Sequence, residues 1–179
     1  MGQFNWAVTY QKEHPDEKVG VITYKSLVED DSIRSLFDPD TTFGYWWNDD
    51  RATNTFYDAG VTTLICIGVP IPNLSATAAE VEKGNGDIRT VYVARPYGPR
   101  KEDGTRDFII CKDTEDPILR HALWYKRSAT MIQTAGRLRS IQQPDKQFKL
   151  IMMDNVPLPF EVDTMIEVSE KDKQDNQRV

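Results

Sequence analysis

Val61-Thr62-Thr63-Leu64-Ile65-Cys66-Ile67-Gly68 is the stretch on which the fold turns. It is almost wholly apolar and lacks the alternation of a strand with one wet face, so it predicts a strand buried on both sides, as in a parallel sheet. It gives way to Val69-Pro70-Ile71-Pro72. Two prolines, each without an N–H, end any ladder there and impose a loop. Working outward, Lys18 to Tyr24 (KVGVITY) reads as an earlier strand after a polar, Pro-containing lead-in. Phe148 to Met153 (FKLIMM) reads as a later buried one. Thr41 to Trp47, aromatic and β-branched, is a further strand.

The connections have helical character. Lys25 to Phe37 forms a short helix or turn, and Leu74 to Lys83 a short helix stopped by Gly84-Asn85-Gly86. Asp116-Pro117 opens a long helix, with Asp as N-cap and Pro in the first turn, running to about Ser140. Leu119, Leu123, Trp124, Met131, Ile132, Ala135 and Leu138 recur largely at three and four and predict one buried face. Gln142-Gln143-Pro144-Asp145 breaks the pattern. Ile88 to Ala94 and Asp107 to Cys111, around RPYGPRKEDGTR, read as a hairpin inserted into the order of the main sheet. Strands alternating with helices imply an α/β fold with a mostly parallel sheet. Residues 1–168 read as a single domain, and 169–179 (SEKDKQDNQRV) as a disordered polar tail.

Composition narrows the function. Of 179 residues, 39% are hydrophobic and 10% aromatic, enough for a proper core. No run approaches the roughly 18 apolar residues of a membrane span, so no membrane partner is expected. The first residues lack the basic-then-apolar pattern of a secretory signal, which makes the cytoplasm the default location. Cys66 and Cys111 have 44 residues between them and only two histidines to join them, which matches no zinc spacing. No metal site is expected; buried free thiols are. The net charge is −6, yet Arg120 to Lys149 holds seven Lys or Arg (Arg120, Lys126, Arg127, Arg137, Arg139, Lys146, Lys149) against one acid, Asp145. A basic segment on an acidic body suits a local phosphate site, or a solvated basic helix face.

In an open parallel sheet ligands gather beyond the carboxyl ends of the strands. The loops that fall there are Thr23-Tyr24-Lys25, Asp49 to Asn54, Gly68 to Asn73, and Asp154-Asn155. The most specific segment is Gln133-Thr134-Ala135-Gly136-Arg137-Leu138-Arg139. On one continuous helix Gln133 and Arg137 share a face. Gly136 between them costs a helix about 1 kcal/mol relative to Ala, which a close approach to the backbone would explain. Arg139, roughly 200° around from Arg137, serves the same ligand only if the helix ends or distorts.

This segment resembles the last motif of superfamily-2 helicases and their relatives, Gln-x-x-Gly-Arg followed by a second arginine. Two other stretches are similar in the right order. KVGVITYK (18–25) looks like the first strand of the second motor domain. Asp50-Arg51-Ala52-Thr53-Asn54 followed by VTTLICIG and VPIPNL is similar to the Arg-Gly-x-Asn, strand and Gly-x-Pro succession of these enzymes. The resemblance covers residues 18 to 160 and implies a RecA-like three-layer domain. It implies that Arg137 or Arg139 is the arginine finger, with Gln133 beside it and Gly136 and Asp50 on the nucleotide side. It also implies that Lys25, Arg51, Thr53 and Asn54 contact a DNA or RNA backbone. Ala52 stands where glycine is usual, and Ser140 where many members have their second arginine.

No Gly-x-x-x-x-Gly-Lys-Ser/Thr occurs, and no Asp-Glu pair follows an apolar strand. ATP and Mg2+ are therefore expected only in complex with a separate N-terminal motor domain, and hydrolysis by this chain alone is not. A non-catalytic nucleic-acid or protein-binding module is the alternative. Trp46, Trp47 and Trp124 would then stack bases, although burial is the default for such residues. A small-molecule enzyme is poorly supported, with no Gly-rich fingerprint and no Ser–His–acid order; His121 reads as structural or exposed.

Overall fold

A computed structural model describes residues 2–46, 54–80 and 90–166. In chain order the elements are α1 (Gly2–Glu13), β1 (Val19–Thr23), α2 (Lys25–Val28), α3 (Asp31–Arg34), β2 (Thr42–Tyr45) and α4 (Thr55–Asp58). Then come β3 (Thr63–Ile67), α5 (Leu74–Glu80), β4 (Thr90–Arg100), β5 (Arg106–Thr114), α6 (Pro117–Ala135) and β6 (Lys149–Met153). A single domain is what the sequence reads as. The described fold groups into two compact units, one drawn from Met1–Gly68 and Gln133–Asp154, the other from Val69–Ile132 and Asn155–Ile166. The tail at 169–179 lies outside the described residues.

The first unit is an α/β layer structure. Its sheet has the order β2-β1-β3-β6, every pair parallel. β1 and β3 are buried at every position, as their largely apolar sequences require. β6, expected to be a buried strand, is the sheet edge and only half-buried, because nothing in this sheet pairs with its outer side. Alternate residues divide between two cores. Val19, Val21, Ile65 and Ile67 meet Phe4, Ala7 and Phe37 on one face; Ile22, Leu64 and Cys66 meet Trp46, Phe56, Val61 and Leu138 on the other.

α1 is absent from the sequence-based expectation. Its buried positions are Phe4, Ala7 and Gln11, so a polar residue occupies the inner face and blurs the apolar period. Gln11 is satisfied there: its amide donates to Thr41 Oγ1 at 2.8 Å and its carbonyl oxygen accepts from Asp38 N at 3.2 Å. At the amino end of the sheet, Glu17 joins three elements. Its carboxylate accepts from Tyr10 Oη at 2.8 Å, from Thr63 Oγ1 at 2.6 Å, and from Lys149 Nζ. Partial burial alone would raise the Glu17 carboxyl, but hydrogen bonds from Lys149, Thr63 and Tyr10 outweigh it and hold it at about 2.

Two strand glycines have a packing cause. A Cβ on Gly20 would lie 2.7 Å from Phe56 Cδ1, and one on Gly44 would lie 2.9 Å from Phe56 Cζ. The absence of both side chains makes room for the phenyl ring, which seats α4 on the sheet.

In the second unit β4 and β5 pair antiparallel from Thr90↔Thr114 to Arg100↔Arg106, as a two-stranded sheet of their own. They run further than the sequence suggests, through Arg95-Pro96-Tyr97-Gly98-Pro99-Arg100. A two-stranded ribbon leaves each strand one unpaired edge, where a missing proline N–H breaks no ladder. The register shifts between Pro96 and Arg100. Asp103 Oδ1 closes the turn by accepting from Thr105 N at 2.8 Å and Thr105 Oγ1 at 2.6 Å. Asp113 bridges Arg95 (3.0 Å) and Arg120 (3.1 Å), tying β4 and β5 to α6.

α5 begins at Leu74 as expected, with Asn73 Oδ1 accepting from Ala76 N at 2.8 Å; Lys83 lies outside the described residues. α6 starts as its sequence dictates, with Asp116 Oδ1 accepting from Ile118 N at 2.9 Å and Leu119 N at 2.8 Å. It does not reach Ser140: the α-helix stops at Ala135, and Gly136–Leu138 form a 3-10 turn. Leu119, Met131 and Leu138 are buried, but Trp124 and Ile132, expected on the buried face, are 42% and 54% exposed. No helix among the described residues is long and apolar enough to cross a membrane.

Two outcomes are expected. Gly20→Ala lowers stability by about 1–3 kcal/mol through overpacking; Phe56→Leu in the same chain recovers part of that loss in urea unfolding. The Glu17 contribution is complete above its unfolded value near 4.5 and drains away as pH falls towards about 2. Glu17→Gln therefore flattens the acid limb of the stability–pH curve; an unchanged limb would remove Glu17 from that role.

Candidate functional site at the carboxyl edge of the parallel sheet

β1 lies between β2, the next strand in sequence, and β3, the strand after that. The chain order thus reverses between β1 and β3, and the crevice outside their carboxyl ends is where ligands bind in open α/β sheets. Trp46 braces this edge. Its backbone N donates to Thr23 O at 2.9 Å, and its indole Nε1 donates to Ile67 O at 3.2 Å, linking the end of β2 to the ends of β1 and β3. It is only 4% exposed, so Trp46 is a structural wedge and not the stacking surface that the binding-module reading gave it.

Gly68 follows β3 at φ +81°, a conformation that favours glycine, and its N donates to Met153 O at 3.2 Å. A Cβ here would lie 2.8 Å from both Cε2 and Oη of Tyr24. The tyrosine thus covers the backbone of the loop that leaves β3.

Arg137 is brought to the same edge. The 3-10 turn Gly136–Leu138 packs on α4 through Leu138 and Phe56, and Arg137 Nη1 comes within 3.4 Å of where a Gly44 Cβ would stand. Arg137 is half-buried and partnered within the chain. Its charge also reaches Cys66. Burial pushes the Cys66 thiol well up, the Asp154 carboxylate adds to this, and Arg137 opposes it. Cys66 is a free, buried thiol, as expected; nothing is described of the Cys111 side chain.

The other expected residues are distributed as follows. Gln133 is exposed, and the α-helix ends before Arg137, so the two do not share a face of one helix; the chain tightens at Gly136 instead. Gly136 is exposed, and a Cβ there would meet nothing within 4 Å, so no other part of the described chain uses the space that its hydrogen leaves. Arg139 is half-buried at φ 50°, the non-glycine residue with positive φ among the described residues, and it lies between two 3-10 turns. The helix thus ends where the sequence required if Arg137 and Arg139 were to serve one ligand.

Lys25 places its ammonium 5.8 Å from the Tyr45 ring centre and pairs with Glu29 at 3.5 Å. Asn54 is exposed ahead of α4, and its side chain caps nothing. Asp50, Arg51, Ala52 and Thr53, with Asp49 and Trp47, lie outside the described residues. Trp124 is half-exposed beside His121, with rings 6.4 Å apart. Sequence reasoning placed the Tyr24 and Gly68 loops at this edge but did not join them. The joint signal was an aromatic one residue past one strand and a glycine one residue past its neighbour.

The Cys66 thiol is expected to resist iodoacetamide at neutral pH in the folded chain and to react fully in urea, as read by peptide mass mapping. Rapid labelling of the native protein would contradict its burial.

Among known protein families, curated proteins and solved structures, none matches this chain.

Proposed function

We propose that this chain is the second motor domain of a nucleic-acid-dependent ATPase of the helicase type, RecA-like in fold and acting with a separate ATP-binding domain in the cytoplasm. The observation that carries the reading is the position of Arg137. A motif that resembles the last helicase motif lies at the carboxyl edge of a parallel sheet, with its guanidinium beside Gly44 and its charge felt at Cys66. A planar, permanently charged fork at that edge suits a phosphate chain presented from outside. The αL conformation of Arg139 turns a second cation out of the helix two residues later.

The residues present fit half of an ATP site. They offer cations, Arg137 and Arg139. In this reading ATP and its magnesium are held by the separate domain, and the nucleotide supplies the phosphoryl group that is transferred. This chain closes over it, and Arg137 or Arg139 stabilises charge on the transferring oxygens. Lys25, Asn54 and the segment with Arg51 and Thr53 grip a DNA or RNA backbone, so that closure moves the strand.

The test mixes the purified chain with its ATP-binding partner domain and measures ATPase activity with and without oligonucleotide. Arg137→Ala or Arg139→Ala is expected to lower the stimulated rate by roughly a thousandfold or more, with nucleic-acid affinity little changed. Absence of any stimulation by the unmodified chain would end the reading.

A further inference from the structure

We propose that Tyr24 is a stacking platform for one unpaired base of a single-stranded nucleic acid, with Gly68 as the residue that positions it and Lys25, next in the chain, as a cation for a phosphate of the same strand. This rests on reading the carboxyl edge of the sheet as a nucleic-acid surface. It adds the class of strand and a residue that the helicase-like motifs do not name.

Three observations converge on Tyr24. It is the first residue past β1, at the point where the strand order reverses, so it borders the crevice in which such sheets bind ligands. Its ring lies where a Cβ of Gly68 would be, 2.8 Å from that position at both Cε2 and Oη. Any other residue at 68 would displace it. The residue nevertheless keeps 36% of its surface accessible; Lys25, next in sequence, is exposed, with its ammonium paired to Glu29. The Trp46 hydrogen bonds to Thr23 O and Ile67 O hold the two strand ends that carry Tyr24 and Gly68.

An accessible aromatic ring at a ligand-binding edge matches the face of an unpaired base, and Lys25 offers the strand a cation. Base–aromatic stacking is tolerant of sequence, and the phosphate adds a salt-dependent attraction. Duplex is disfavoured, because its bases already cover one another's faces. Tyr45, under the Lys25 ammonium, keeps that cation near the end of β2.

The test uses the full 179-residue chain and fluorescent 12-mers, single-stranded DNA, single-stranded RNA and duplex DNA, in anisotropy titrations, with a 2-aminopurine copy of each single strand. Expected are tighter binding of single strand than of duplex and quenching of 2-aminopurine. Tyr24→Leu should weaken single-strand binding roughly ten- to a hundredfold and abolish the quenching. Tyr24→Phe and Tyr24→Trp should retain both. Gly68→Ala should lose the quenching by moving the ring, while its circular dichroism stays native; if Gly68→Ala does not fold, the Tyr24 series decides alone.

If Tyr24→Leu binds and quenches like the unmodified chain, or if duplex binds as tightly as single strand, the stacking role is overturned while the nucleic-acid surface stands. If the unmodified chain binds neither single strand nor duplex, the surface itself is refuted, and the stacking role with it.

Discussion

The packing of Phe56 against Gly20 and Gly44 holds the parallel-sheet unit together. A parallel sheet has two apolar faces, and each must be covered before the strands are stable. One face is covered by α1, a full-length helix. The other receives α4, a single turn that has too little helical stability of its own to stay in place. What fixes it is one aromatic ring in a recess made by two missing side chains. Leu138 packs into the same cluster, so the turn that carries Arg137 is positioned by the same contact. The placement of a charged side chain at the sheet edge is therefore a consequence of core packing.

The two ends of the sheet are built differently. At the amino end, Glu17 accepts from Tyr10, Thr63 and Lys149, and the network joins α1 to β3 and β6. Such an arrangement suits stability. At the carboxyl end the backbone is braced by Trp46, while the side chains of Tyr24 and Lys25 keep access to solvent. Rigid backbone beneath accessible aromatic and cationic groups is the condition for binding without reorganisation. Burial pushes the Cys66 thiol up, with the Asp154 carboxylate adding to the effect and Arg137 opposing it.

How α6 ends bears on which arginine does what. An uninterrupted helix would have sent Arg137 and Arg139 to different sides. The 3-10 turn and the positive φ at Arg139 take the segment off the α-helical path. A glycine would adopt that conformation more easily, so an arginine is held there at some conformational cost. Gly136 allows the helix to tighten one residue after Ala135, and the space beside it is open.

The central strands were legible because Val61–Gly68 and Lys18–Tyr24 are apolar on both faces, and only a strand covered on both sides tolerates that pattern. The Asp116-Pro117 start of α6 was equally plain, since capping is local chemistry. α1 was not legible, because Gln11 sits on its inner face and only the distant Thr41 and Asp38 make that burial acceptable. The end of α6 and the exposure of Trp124 and Ile132 were missed for a related reason: periodicity shows that a helix has an apolar face, but not what lies opposite it. For the site, sequence named Arg137 and the loops at Tyr24 and Gly68 as separate candidates. Sequence by itself determined which segments must be buried strands and which residue types carry charge or an aromatic ring. Only the tertiary structure decided that Tyr24 covers Gly68, that Arg137 stands over Gly44, and that Trp46 is a brace, because each depends on strands distant in sequence lying side by side.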